Sequence, residues 1–160
     1  MGRHPILLEG FMVGMAGAVA VAVWFLVVDL ASGAPFRTPA LLGAALFHGL
    51  RDAGALVITP RLVGAYTLVH CALFVLFGWA AAGLFALADR DRHVLFGVLM
   101  LFLCFEVAAF AFVAVIGSWL LHTITPGAII GANLIATVVM LSLLFRNHRR
   151  APSDVLTSAE

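Results

Sequence analysis

Four long apolar runs, separated by shorter segments that hold most of the charged residues, set the pattern of this chain. Each run is close to the ~20 residues that a helix needs to cross the ~30 Å hydrocarbon core of a bilayer. We therefore predict an all-α membrane protein, in which residues 1–150 form one four-helix transmembrane bundle and residues 151–160 form a flexible cytoplasmic tail. The predicted spans are residues 6–28, 62–88, 94–121 and 128–145.

The segment between the first two spans, residues 29–61, is too long to be a plain connector. Within it, Thr38 followed by Pro39 is typical of an N-cap and the first position of a helix. We therefore predict a short extracytoplasmic interfacial helix at about 39–50. This helix would lie on the outer surface of the membrane or dip back into the bundle. Whether it serves as a docking element or as a lid is left open.

Arginine placement predicts the orientation, because the cytoplasmic loops of membrane proteins are enriched in positively charged residues. Six arginines fall on the side of the N-terminus, the second linker and the C-terminal tail, and three fall on the other side. We therefore predict that both termini are cytoplasmic. The six are Arg3, Arg90, Arg92, Arg146, Arg149 and Arg150, and the three are Arg37, Arg51 and Arg61.

Composition supports a membrane protein and narrows its function. The chain is 64% hydrophobic and 11% charged, whereas a soluble domain has about 25% charged residues. A net charge of +1 argues against nucleic-acid binding, which requires clustered basic residues. The sequence has no P-loop, GxSxG, HExxH or CxxC motif, and polar residues in the spans are too sparse for an obvious catalytic triad. We therefore expect a protein that is not an enzyme.

Glu106 is the only charged residue inside the third predicted span. A carboxyl group at that depth is costly, so it usually faces other helices and marks a polar pathway or an interhelical contact. In one interpretation, a neutral Glu106 exchanges a proton as a substrate passes. In the other, Glu106 donates a hydrogen bond to a backbone carbonyl or to Ser142. Glu9 is a second intramembrane candidate, but it lies close enough to the cytoplasmic face to reach the headgroups.

Three histidines, His48, His70 and His122, lie toward the predicted outer half of the protein. Neutral imidazole is a common metal ligand, but no HxxxH or ExxH pair occurs on a predicted helix. We predict no cofactor and leave a haem or metal site open. The alternative for His70 is a hydrogen bond to Asn133, because helix geometry places both roughly 10–12 Å below the outer surface. The same geometry places Glu106 about 22 Å below it.

Small residues recur at a spacing of four in two of the predicted spans. Gly10 and Gly14 form a GxxxG pair in the first, and Gly127 and Gly131 form another in the fourth, next to Ala132. Small residues let helix backbones approach closely in a membrane. They would serve either the packing of the four helices against each other or a surface for another subunit.

Several short motifs mark the end of the first span and the start of the outer linker: Trp24-Phe25, Asp29-Leu30, Gly33-Ala34-Pro35 and Thr38-Pro39. In these motifs the chain resembles a group of small bacterial four-helix integral membrane proteins of unassigned function. Asn133, followed by an apolar run and an Arg-rich end, is similar to the close of the same group. The resemblance implies a bacterial cytoplasmic (inner) membrane and implies no activity.

These patterns favour a non-enzymatic accessory or structural subunit, surrounded by lipid, that packs within an inner-membrane complex or a homo-oligomer. The first alternative is a small proton-coupled transporter or permeation unit that uses Glu106. The second alternative is a haem- or metal-binding redox subunit. A water-filled cavity that reaches Glu106 would favour the transporter, and convergent histidines would favour the redox subunit.

Overall fold

The computed structural model describes residues 3–88, 94–117 and 119–150, and within those ranges it contains helices and no β-strand. The linker at 89–93, with Arg90 and Arg92, and the tail at 151–160 lie outside the described residues. A single 3₁₀ turn at Ala53–Ala55 follows the second helix. The α-helices are α1 (Arg3–Ala31), α2 (Arg37–His48), α3 (Pro60–Ala88), α4 (Val94–Ile116), α5 (Leu120–Thr123) and α6 (Pro126–Arg150).

Three of these helices are long and apolar enough to cross a membrane. The two later ones open on Pro60 and Pro126, at the helix position where a missing backbone N–H has no cost. The prediction of an all-helical protein is therefore confirmed for the described residues, with three helices that could span a membrane, and the fourth span stays a prediction. The three segments are Ile6–Ala31, Pro60–Leu87 and Pro126–Asn147, and a shorter apolar segment, Phe102–Ile116, lies within α4.

Glycines bring the backbones of α1 and α3 into contact. A Cβ atom added at Gly10 would lie 2.7 Å from the Cα of Trp79, and one at Gly14 would lie 2.8 Å from the Cα of Val75. Gly78 faces this pair from α3, because a Cβ atom there would lie 2.7 Å from the backbone nitrogen of Gly14. Such distances leave no room for a side chain, so the GxxxG pair of the first span is used inside the chain. The pairing also shows that α1 and α3 are antiparallel.

α6 packs antiparallel to α1 along its whole length. At one end the indole Nε1 of Trp24 donates a hydrogen bond to the carbonyl of Ala128, at 2.9 Å. At the other end Nδ2 of Asn147 donates to Oε1 of Glu9, at 3.2 Å. The beginning of α1 and the end of α6 therefore lie at the same end of the bundle. Because α3 and α6 run in the same direction, α4 must carry the chain back between them.

α4 packs on α3 chiefly through phenylalanine rings. The ring centroid of Phe105 lies 4.2 Å from that of Phe77 and 5.3 Å from that of Phe74. These separations are typical of favourable aromatic pairs. The opposite side of α4 carries large apolar side chains that are more than half exposed. We call them the outer α4 stripe: Phe96, Leu99, Leu103 and Val107.

Two of the differences from the predicted helix bounds affect the contacts described below. α4 ends at Ile116 rather than near residue 121, and the one-turn helix α5 follows it. α2 begins at Arg37 rather than at Pro39, and its N-cap position is Phe36, which has a left-handed φ of 62°. Thr38 is therefore not the N-cap. Its side chain instead has a partner outside α2, Asp29, which is described below.

α2 lies against the other helices and is largely buried. A Cβ atom added at Gly43 would lie 2.8 Å from the carbonyl oxygen of Leu62, so the α2 backbone touches α3. α2 therefore packs on the bundle, and its position at the outer surface of a membrane stays a prediction. The buried residues of α2 are Thr38, Ala40, Leu41, Leu42, Gly43, Ala44 and Ala45.

Candidate functional site

Glu106 and Asn133 form a hydrogen bond between α4 and α6. Nδ2 of Asn133 donates to Oε2 of Glu106 at 2.9 Å. Asn133 is buried, at 6% exposure, and Glu106 is half-buried. Glu106 therefore faces another helix, but its partner is neither a backbone carbonyl nor Ser142, which is exposed. An amide can donate to a carboxylate or to the carbonyl oxygen of a neutral carboxyl group, so it satisfies Glu106 in either form.

The expected difference in depth between Glu106 and Asn133 is wrong, since a direct hydrogen bond places the two side chains at one level. The error comes from the end of α4. Counted from Ile116, Glu106 is only about 15 Å from the end of its helix, at ~1.5 Å per residue. Asn133 is about 10 Å from the start of α6 on the same scale.

His70 does not contact Asn133 through a hydrogen bond. Its Nε2 lies 3.2 Å from the carbonyl oxygen of Ala18 on α1. Its ring stacks on Tyr66, one turn away, with centroids 5.9 Å apart, and lies 4.7 Å from the ring of Phe74. The expected bundle hydrogen bond of His70 therefore exists, but with a backbone carbonyl.

Two cavities adjoin at His70 and Tyr66. The larger has a volume of about 410 Å³ and lies between α1, α3, α4 and α6, with Leu42 of α2 in its wall. Its lining is mainly aliphatic and aromatic and includes Asn133 but not Glu106. The smaller, of about 270 Å³, lies between α1, α2 and α3 and reaches Asp29. The cavity therefore comes to the amide partner of Glu106 rather than to the carboxyl group itself.

Asp29 holds the start of α2 against the end of α1, a contact that the sequence reasoning missed. Oδ2 of Asp29 accepts a hydrogen bond from the backbone N–H of Thr38 at 2.8 Å, and Oδ1 accepts one from its hydroxyl at 2.7 Å. Asp29 is only 3% exposed. The available signal was an acidic residue at the end of an apolar span followed by a Thr at the start of a short helix.

The carboxyl groups in the described part of the chain all act as structural hydrogen-bond acceptors. Glu9 accepts from Asn147, Asp29 from Thr38 and Glu106 from Asn133. The fourth, Asp52, accepts from the backbone N–H of Gly54 and caps the 3₁₀ turn. Three of these contacts join different helices, which is how polar groups stabilise helix association in a membrane.

The three histidine candidates differ in their surroundings. His48 and His122 are exposed, whereas His70 is half-buried beside the cavities. Within residues 3–88, 94–117 and 119–150, no group of three or more His, Cys, Asp and Glu side chains is arranged to hold a metal ion. The histidines therefore do not converge on one metal site in that part of the chain.

The small-residue candidates of α6 also differ. A Cβ atom added at Gly131 would lie 2.8 Å from Cζ2 of Trp24, and Ala132 is 1% exposed. Gly127 is different, since a Cβ atom there would have no neighbour within 4 Å. Gly131 and Ala132 are therefore used in packing α6 against the bundle, and Gly127 alone of the three has space beside it.

No known protein family, curated protein or solved structure is significantly similar to this chain.

Proposed function

We propose that this protein is a non-enzymatic accessory or structural subunit that packs within a membrane complex or with further copies of itself. The observation that carries the proposal is the use of the carboxyl groups. In the described part of the chain each one holds helices together or caps a turn, so the groups best suited to acid–base chemistry are engaged in structure.

The outer α4 stripe is the surface that we assign to the partner. Its four large apolar side chains share one side of the helix at spacings of three and four residues, which is the pattern that a partner helix can pack against. α4 also packs less extensively on the other helices than α1 or α3 does, and mainly on α3. A partner that covered the stripe would stabilise the least supported long helix.

The proposed setting is a bacterial inner membrane that the chain crosses four times, with both termini in the cytoplasm. Three long apolar helices and the return path of α4 support four crossings, because α4, at 23 residues, is about 35 Å long. The shared end of α1 and α6 supports termini on one side, and the six-to-three arginine bias supports the cytoplasm as that side. α2 would then lie at the outer face.

The test is purification of the tagged full-length protein in a mild detergent, followed by native gels and identification of co-purifying proteins. Leu103→Trp on the outer α4 stripe should shift the complex to lower mass. Leu68→Trp, at a more exposed position on α3, is the matched control and should leave the mass unchanged. A monomer with no co-purifying protein before any substitution would contradict the proposal.

A small proton-coupled permeation unit is the second candidate function. It is favoured by the position of Asn133, which borders the larger cavity and donates to Glu106, so movement through the cavity could be linked to the carboxyl group. Reconstitution in liposomes containing a pH-sensitive dye tests it directly. Proton flux that Glu106→Gln abolishes, in a protein that still assembles, would establish the permeation unit and overturn the subunit proposal.

A further inference from the structure

The larger cavity has the size and lining of a site for a small apolar molecule. Its volume of about 410 Å³ falls in the range of ~300–1,000 Å³ that is usual for ligand pockets. Much of its wall is aromatic, which favours a flat ring over a saturated chain because rings pair edge to face. The ring-bearing residues besides His70 are Phe25, Tyr66, Phe74, Phe77, Phe105 and Phe112.

Two polar groups in this wall have unused hydrogen-bonding capacity. A carbonyl oxygen can only accept, so the contact between Nε2 of His70 and Ala18 is a hydrogen bond only when Nε2 carries the proton. Nδ1 of the neutral ring is then an acceptor, and no described residue donates to it. The hydroxyl of Tyr66, one turn away, likewise has no hydrogen-bond partner among the described residues. Both residues line both cavities.

We infer that the larger cavity binds a lipid-soluble phenol, a substituted aromatic ring whose hydroxyl group donates to His70 and whose ring lies among the phenylalanines. A saturated acyl chain would fill the volume but would leave the acceptor of His70 and the hydroxyl of Tyr66 unpaired, which is unfavourable away from water. The hydroxyl group of a phenol can donate to His70 and accept from the hydroxyl of Tyr66. A lipid-soluble phenol can also enter the cavity from the bilayer. This site is independent of the proposed partner surface on α4.

The probes are para-hexylphenol and hexylbenzene, which differ only in the hydroxyl group. They are titrated into the full-length protein in lipid nanodiscs, with its histidines labelled with nitrogen-15 and the His70 signal assigned from a His70→Phe variant. The phenol should shift the Nδ1 signal of His70 in a saturable manner, and hexylbenzene should not. Equal shifts with both probes, or none with the phenol, would overturn the inference.

Two variants separate binding in the cavity from partition into lipid. Ala109→Phe places a ring in the cavity wall and should abolish the saturable shift, whereas Ala111→Phe, exposed on the same helix and outside the lining, should preserve it. His70→Phe should lower the affinity for the phenol roughly three- to tenfold, which is the effect of one lost hydrogen bond. The affinity of this variant is measured by competition with a fluorescent phenol. Unchanged phenol affinity in that variant would show that His70 does not recognise the hydroxyl.

Discussion

Asn133 and Glu106 lie at one level of the bundle, and a hydrogen bond of 2.9 Å joins their side chains. The pair links α4 to α6, two helices that otherwise meet only weakly because α4 packs mainly on α3. A polar contact between two apolar helices is specific in a way that apolar contacts are not, since lipid can replace a leucine but not an amide. It therefore fixes the register of α4 against α6.

Three substitutions of Glu106 should distinguish the contribution of its hydrogen bond to stability from the effect of its charge. Glu106→Gln keeps an acceptor for Asn133, so we expect stability close to that of the original protein. Glu106→Leu should lower the free energy of unfolding by ~0.6–2 kcal/mol, the usual range for an interhelical hydrogen bond in a membrane. Glu106→Lys should cost at least ~2.5–3.5 kcal/mol, because it places an unpaired cation at depth.

The measurement is unfolding of the purified protein in mixed detergent micelles as the denaturing detergent is increased. A cycle with Asn133→Leu provides the control, because the double variant should lose little more than either single variant. Fully additive losses would show that the two side chains do not stabilise the protein through their contact.

The sequence pattern was sufficient to predict the long helices but not the contacts between their side chains. Apolar runs located the long helices within a few residues, because hydrocarbon imposes both length and composition on a span. The end of α4 was misplaced by about five residues, since Gly117 and Trp119 continue the apolar run without continuing the helix. That one error separated Glu106 from Asn133 in depth and concealed their contact.

The role of α2 could not be read from the sequence for a different reason. Thr38 fits the pattern of an N-cap, but the same hydroxyl can serve a distant acceptor, and the presence of Asp29 nine residues earlier decides between them. α2 then begins at Arg37, and its buried residue Leu42 lies in the cavity wall.

The contact between α1 and α3 predicts opposite effects for two glycines of the same helix. Gly78→Ala should destabilise the protein by ~1–3 kcal/mol, because its Cβ atom would meet the backbone of Gly14. Gly83→Ala has open space around it and should be neutral or stabilising by up to ~1 kcal/mol through helix propensity. Thermal unfolding in detergent measures both, and equal effects would show that α1 and α3 do not pack closely.

Substitution of the two glycines of α6 should likewise have different effects on stability. Gly131→Leu should destabilise the bundle, because its side chain would displace the indole of Trp24, whose Cζ2 lies 2.8 Å from the new Cβ position. Gly127→Leu should leave thermal unfolding unchanged. Native gels of the two variants add a second readout: a loss of complex mass with Gly127→Leu alone would move the partner surface from α4 to the start of α6.

The proposed topology predicts which positions a membrane-impermeant thiol reagent reaches in intact cells. After Cys71 and Cys104 are replaced by Ala, a cysteine at Ser32 should be labelled from outside. A cysteine at Ser153 should be labelled only after the membrane is permeabilised. The reverse labelling pattern would show that the proposed orientation is inverted. Labelling of both cysteines in intact cells would put them on the same side, so that the whole chain would cross the membrane an odd number of times.

The bond between Asp29 and Thr38 should control whether α2 stays closed over the cavities. Asp29→Ala leaves the buried N–H and hydroxyl of Thr38 without their acceptor, which costs ~1–3 kcal/mol. α2 should then open more often, and a cysteine at the buried position Leu42 should react with a small thiol reagent roughly tenfold faster, since ~1.4 kcal/mol corresponds to a factor of ten. Asp52→Ala removes a carboxyl group of the same segment that bonds only an exposed backbone N–H, so it should not change the rate. If both variants react at the original rate, α2 is held by its apolar packing on α3 and not by Asp29.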